Sequence, residues 1–80
     1  MKSYEFFIKT ERKHIDFLNK VFEAYEGIGI VRTLNANAGE IKIITLENNK
    51  EDIENIISDL KNYGVAIEIT SCGEWGGQLW

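Results

Sequence analysis

The chain has no proline, a single cysteine, Cys72, and a single histidine, His14. One cysteine excludes an intrachain disulfide and is typical of proteins from reducing compartments. Together with one histidine, it supplies too few soft ligands for a closed zinc site. We therefore expect no bound metal. We also expect no cofactor, because Gly27 and Gly29 follow a predicted helix, whereas phosphate-binding glycines precede one.

The sequence also lacks long apolar runs. Its longest uninterrupted stretches are only a few residues, such as 6–8, far below the roughly 18–20 residues that cross a bilayer. The first residues contain no apolar signal-peptide region. We therefore expect a cytoplasmic protein that does not contact a membrane.

Positive charge is scarce as well. The chain has 9 lysines and arginines against 13 aspartates and glutamates, so its formal net charge is −4. An acidic surface repels phosphate backbones, which disfavours nucleic acid as a partner. Because 44% of the 80 residues are hydrophobic and 28% are charged, the composition indicates one folded domain and not a disordered chain.

Two segments repeat apolar residues with helical spacing. The first stripe consists of Ile15, Leu18, Phe22 and Tyr25. This spacing places the side chains on one face of a helix, and it predicts helix one over residues 11–26. Thr10 is the predicted N-terminal cap, and Gly27 is predicted to end the helix with a positive φ.

The second stripe consists of Ile53, Ile56, Ile57 and Leu60. It predicts helix two, with a cap at Asn48 or Asn49 and an end at Gly64. The offset of 38 from Ile15 to Ile53 also relates Tyr25 to Tyr63. We therefore expect both tyrosine rings to pack on the sheet at the ends of the two helices.

The remaining segments alternate apolar and polar residues or are rich in β-branched residues, which predicts strands. These strands are 3–9, 28–34, 40–46 and 65–70. The order predicts an α+β fold, a ferredoxin-like βαββαβ sandwich with a four-stranded antiparallel sheet and both helices on one face. Strands one and three are predicted to be central. Residues 1–70 form this domain, and residues 71–80 are a tail that we expect to pack on the sheet or on a partner.

The face of the sheet away from the helices carries apolar residues in this prediction. If Phe6, Ile30 and Ile43 face the helices, alternation turns Phe7, Val31 and Ile44 to the other side. An apolar patch of this kind indicates that something covers it. Candidates are a second subunit and the tail with its tryptophans, so the predicted interface residues are Phe7, Val31, Ile44, Trp75 and Trp80.

No residue pattern indicates a catalytic site. The carboxylates fall mostly on helix faces that we expect to be solvated. His14 is predicted to face water, and Cys72 has the negative Glu74 nearby, which does not activate a thiol. We therefore assign no catalytic residue and expect the protein not to be an enzyme.

Two segments resemble a family of short bacterial proteins, the domain-of-unknown-function family numbered 4911. These segments are 15–18 (IDFL) and 22–34 (FEAYEGIGIVRTL). The resemblance extends loosely over residues 4–69. It implies the strand-helix-strand, strand-helix-strand fold and a bacterial source, and it transfers no catalytic residue.

The architecture also resembles amino-acid-sensing regulatory domains of the ACT type, which bind small ligands between subunits. That resemblance implies a ligand site at a dimer boundary, for which Tyr25, Arg32 and Thr33 are the candidates. The turn after strand one lacks the glycine that is usual in those domains, since residues 9–12 read KTER.

Three functions follow from these observations. The first is a self-associating interaction or regulatory module, which acts as a homodimer or binds another protein. The second is an ACT-like sensor that binds a small metabolite at the dimer interface. The third is an RNA-binding module that uses Phe7 and the end of the sheet near Lys2 and Lys9, which the net charge disfavours.

Overall fold

The computed structural model describes residues 2–25 and 28–74. Its strands are β1 (Ser3–Thr10), β2 (Ile30–Asn35), β3 (Glu40–Leu46) and β4 (Ile67–Glu74). Its helices are α1 (Ile15–Ala24) and α2 (Lys50–Asn62), and each follows a short 3-10 turn. The predicted βαββαβ order is confirmed. The predicted helix end at Gly27 and the predicted interface residues Trp75 and Trp80 lie outside the described residues.

The four strands form one sheet in the order β2-β3-β1-β4, and every neighbouring pair is antiparallel. β1 and β3 are central, as predicted. β4 begins at Ile67 and continues to Glu74, which pairs with Tyr4, so the strand begins two residues later and ends four residues later than predicted. Residues 71–74 of the predicted tail therefore belong to the sheet. The pairing of β1 with β4 is irregular between Phe7 and Ile8.

The hydrophobic core lies between one face of the sheet and the two helices. Phe6 and Ile43 are paired across β1 and β3, and both are fully buried. The cluster contains Phe6, Ile8, Ile15, Leu18, Phe22, Ile41, Ile43, Ile53, Ile56, Ile57, Leu60 and Ile67. Both predicted helical stripes contribute to it, which confirms that the helices share one face of the sheet.

The prediction of which β2 side chains face the helices is wrong. Val31 packs against the core cluster and pairs with Ile43, whereas Ile30 is 42% exposed and pairs with Ile44. Val31 is therefore a helix-facing residue, and Ile30 takes its place on the opposite face. Since successive side chains of a strand point to opposite faces, a shift of one residue reverses the whole strand.

Gly29 explains why the facing differs. A Cβ at this position would lie 3.1 Å from Ile43 Cγ2 and 3.4 Å from Ile53 Cδ1. Gly29 therefore occupies a helix-facing position where the core leaves little room for a side chain. With Gly29 facing inward, alternation turns Ile30 outward and Val31 inward.

The helix ends also differ from the prediction. Thr10 does not cap helix one, because it is the last residue of β1 and its hydroxyl donates to the Ala66 carbonyl at 2.6 Å. Asn49 occupies the N-cap position of α2 but makes no side-chain capping hydrogen bond. Gly64 follows α2 with a φ of +87°, as predicted.

The two tyrosines do not pack on the sheet. Tyr25 is 52% exposed, and Tyr63 is 87% exposed. Each is the first residue after its helix, where the backbone leaves the helical path and the ring is directed away from the core. The internal repeat therefore covers the apolar stripes but does not extend to the tyrosines.

Candidate functional site

The face of the sheet opposite the helices, here called the open face, is ordered by strand register. Two rows of paired residues cross its centre, each running from β1 through β3 to β2. The first row is Phe7, Lys42 and Arg32, and the second row is Glu5, Ile44 and Ile30. We call them the Phe7 row and the Ile44 row. Both rows point away from the helices because their strand neighbours, such as Phe6 and Ile43, belong to the core.

The open face is shielded from solvent at Ile44 and Glu5, the β3 and β1 members of the Ile44 row. Ile44 is only 5% exposed although it lies outside the core cluster. Beside it, Lys42 Nζ lies 3.7 Å from Glu5 Oε2, and these two side chains are 20% and 18% exposed. The Lys2–Glu74 ion pair at the end of the sheet is 65% and 60% exposed. The Glu5–Lys42 pair is thus in a drier environment, where its Coulomb attraction is less screened.

The Phe7 row borders a shallow cavity of about 240 Å³ on the open face. The cavity is lined by Phe7, Ile8, Lys9, Leu34, Glu40, Ile41 and Thr70. Lys42 Nζ lies 5.7 Å from the centre of the Phe7 ring, within the range of a cation–π contact. Leu34 is 50% exposed. The cavity therefore has an apolar wall of Phe7 and Leu34 with charged groups around it.

The structure does not bring the three predicted ligand residues into one site. Tyr25 lines a different cavity, of about 350 Å³, between the end of α1 and α2. Arg32 lies on the open face, opposite Lys42. Thr33 pairs with Ile41, a core residue, and so belongs to the helix side of the sheet.

The comparison with known protein families gives one result. A family model described as Domain of unknown function (DUF4911) matches residues 8–63, which is more than two thirds of the 80 residues. The chain belongs to the DUF4911 family. No curated protein and no solved structure matches it. The matched range includes Ile30, Lys42 and Ile44 of the open face, whereas Phe7 and β4 lie outside it.

In the described part of this DUF4911 domain, no group of three His, Cys, Asp or Glu side chains is arranged to hold a metal ion. Neither α1 nor α2 is long and apolar enough to cross a membrane. His14, which was predicted to face water, is half-buried at the start of α1.

The extension of β4 creates a contact that sequence reasoning missed. The Tyr4 hydroxyl lies 3.7 Å from Cys72 Sγ, and Lys50 Nζ lies 5.0 Å from the centre of the Tyr4 ring. The hydrogen bond to Cys72 is the largest cause that raises the pKa of Tyr4, and partial burial adds to it. The contact could not be predicted because residues 71–74 were assigned to a tail outside the sheet.

We expect Cys72→Ala to lower the pKa of Tyr4 toward its ordinary value of about 10. The substitution removes the hydrogen bond and also the thiolate charge that opposes ionisation of the phenol. Titration of the Tyr4 ring carbons by NMR measures the change, and Ser71→Ala, the preceding residue on β4, is the control. An unchanged pKa in Cys72→Ala would contradict the assignment.

The sign of the stability effect follows from the same shift. The folded protein holds the Tyr4 proton more tightly than the unfolded chain, because the pKa of Tyr4 is raised in the folded state. This contribution to stability is therefore complete below the unfolded-state pKa of about 10 and is lost as the pH rises through the folded-state pKa.

Proposed function

We propose that this DUF4911 domain is a non-enzymatic interaction module that associates with a second copy of itself. The observation that supports the proposal is an exposed strip on β2, in which two apolar side chains, Ile30 at 42% and Leu34 at 50% exposure, flank the exposed Arg32. Large apolar side chains exposed on one face of an edge strand favour an interaction site there, and Arg32 adds a group that can form a hydrogen bond or an ion pair across the interface. Burying Ile30 and Leu34 against a second copy stabilises the pair by about 25 cal/mol for each Å² removed from water.

The position of β2 also favours association. Within the described residues, β2 pairs only with β3 and forms one edge of the sheet. Its outer backbone groups and the strip therefore lie together, beside the cavity that Phe7 and Leu34 line. In a two-fold dimer the same patch serves both copies, so Ile30 and Leu34 of one copy contact the corresponding strip of the other.

Sedimentation velocity of the full chain tests the proposal. We expect the protein to sediment as a dimer, and we expect Ile30→Asp to raise the dimer dissociation constant about tenfold or more, since a buried unpaired charge is worth at least about 1.4 kcal/mol. Phe17→Asp is the matched control. Phe17 is 47% exposed but lies on α1, on the other side of the sheet, and its substitution is expected to leave the dimer intact.

Two results would contradict the proposal. The first is a full-length protein that remains monomeric at every concentration measured. The second is a dimer that Phe17→Asp dissociates and Ile30→Asp does not, because this would place the interface on the helix side.

A further inference from the structure

The two edge strands of the sheet each contain one extra residue beside the same cavity. On β2, Leu34 falls between two residues that pair with consecutive positions of β3. On β4, Thr70 falls between the two residues that pair with Phe7 and Ile8 of β1. Both extra residues line the cavity beside Phe7. Bulges of this kind redirect side chains and are frequent next to functional sites, and here two of them converge on one cavity.

The cavity is also lined by two opposite charges that do not pair with each other. Lys9 on β1 and Glu40 on β3 are direct partners across the strands, which places their Cβ atoms about 5 Å apart on one face. The Lys9 ammonium donates to the carbonyl of Ala38. The Glu40 side chain makes no ion pair and no hydrogen bond with any described residue. The Glu40 carboxylate and the other N–H groups of Lys9 are therefore available to a ligand.

We propose that this cavity binds a small zwitterion with an apolar body. Its ammonium pairs with Glu40, and its carboxylate pairs with Lys9. A molecule with only an ammonium would meet the like charge of Lys9, and one with only a carboxylate would meet that of Glu40. A molecule that carries both charges forms a charge-assisted hydrogen bond with each group.

The walls of the cavity define the rest of the ligand. Phe7 is half-buried and Leu34 is 50% exposed, so an apolar body that packs on them removes apolar surface from water. The volume of about 240 Å³ is below the range of pockets for drug-sized ligands, which favours a body no larger than one amino-acid side chain. The site goes beyond the proposed self-association, because it lies within one copy and takes a small molecule.

Titration of the isotope-labelled full-length chain with leucine, followed by NMR, tests the site. We expect saturable shifts of the amide signals of Phe7, Leu34 and Thr70. Three smaller probes each lack one part of leucine: isocaproate lacks the ammonium, isopentylamine lacks the carboxylate, and glycine lacks the apolar body. We expect each to bind about tenfold more weakly or worse, which corresponds to the loss of about 1.4 kcal/mol.

A charge-removing substitution assigns the contact with the ammonium. Glu40→Gln keeps the size of the side chain but removes its charge, and it is expected to weaken leucine binding about tenfold or more. Glu51→Gln is the matched control, because it removes the same charge from an exposed position in the first turn of α2, on the other side of the sheet. It is expected to leave the affinity unchanged.

Three results would overturn the proposed site. They are the absence of saturable shifts with leucine, binding of isocaproate or isopentylamine as tightly as leucine, and an unchanged leucine affinity in Glu40→Gln.

Failure of the proposed self-association has a different signature. Ile30 does not line this cavity, so Ile30→Asp is expected to dissociate the dimer and to retain leucine binding. A full-length monomer that binds leucine would contradict the self-association alone, and a dimer that does not bind leucine would contradict the site alone.

Discussion

Replacing Gly39 by alanine is expected to destabilise the protein by about 3 kcal/mol or more. Gly39 has a φ of +70°, and a Cβ at this position would overlap the carbonyl group of Thr10. The same residue accepts a hydrogen bond of 2.7 Å from the Thr10 amide, so it joins the β2–β3 turn to the end of β1. The backbone must move to admit the methyl group, and this hydrogen bond is then disturbed.

Gly64→Ala is the matched control for this effect. Gly64 also has a positive φ, +87°, but a Cβ there would meet no atom within 4 Å. Only the backbone strain remains, which is worth about 1 kcal/mol. Urea denaturation of both variants gives the two free energies of unfolding, and equal losses would show that the contact with Thr10 has no energetic effect.

Phe22→Ala is expected to lower the free energy of unfolding by about 3–5 kcal/mol, because it leaves a large cavity in the core. Phe22 is 1% exposed and is one of the largest fully buried side chains. A small domain has a total stability of about 5–10 kcal/mol, so this variant is expected to be close to unfolding at room temperature.

Phe17→Ala is the control, because it makes the same substitution on the same helix at an exposed position. It changes helix propensity in the same way but leaves no cavity in the core. Phe17 is 47% exposed, and its loss is expected to change the free energy of unfolding by less than about 1 kcal/mol. Thermal or urea denaturation at one protein concentration compares the two variants. Similar losses would mean that Phe17 is buried in solution, for example in a dimer interface on the helix side.

The open face illustrates how far a sequence supports a site. Phe7 and Ile44 were assigned to this face by alternation from Phe6 and Ile43, and the strand register confirms both placements. These two strands are central, and their inward residues are fully buried, so their patterns are regular. The shielding of Ile44 and the cavity beside Phe7 could not be predicted, because both depend on residues that are distant in sequence.

The edge strands were less predictable than the central ones. β4 continues over residues 71–74, which have few strand-forming side chains, because β1 offers them backbone partners as far as Tyr4. Strand propensity is a weak preference, and pairing with a neighbouring strand overrides it. The Tyr4–Cys72 contact is a direct consequence of that extension.

The sequence by itself determined the order of elements, both helical stripes, the central position of β1 and β3, and the family. Each of these depends on local periodicity and turn residues, which act within a few positions along the chain. The tertiary structure decided that Val31 faces the helices and Ile30 the open face. The reason is that Ile43 and Ile53 leave too little space for a side chain at position 29, so glycine occupies this helix-facing position. Because side chains alternate along a strand, Ile30 then faces the open face and Val31 faces the helices.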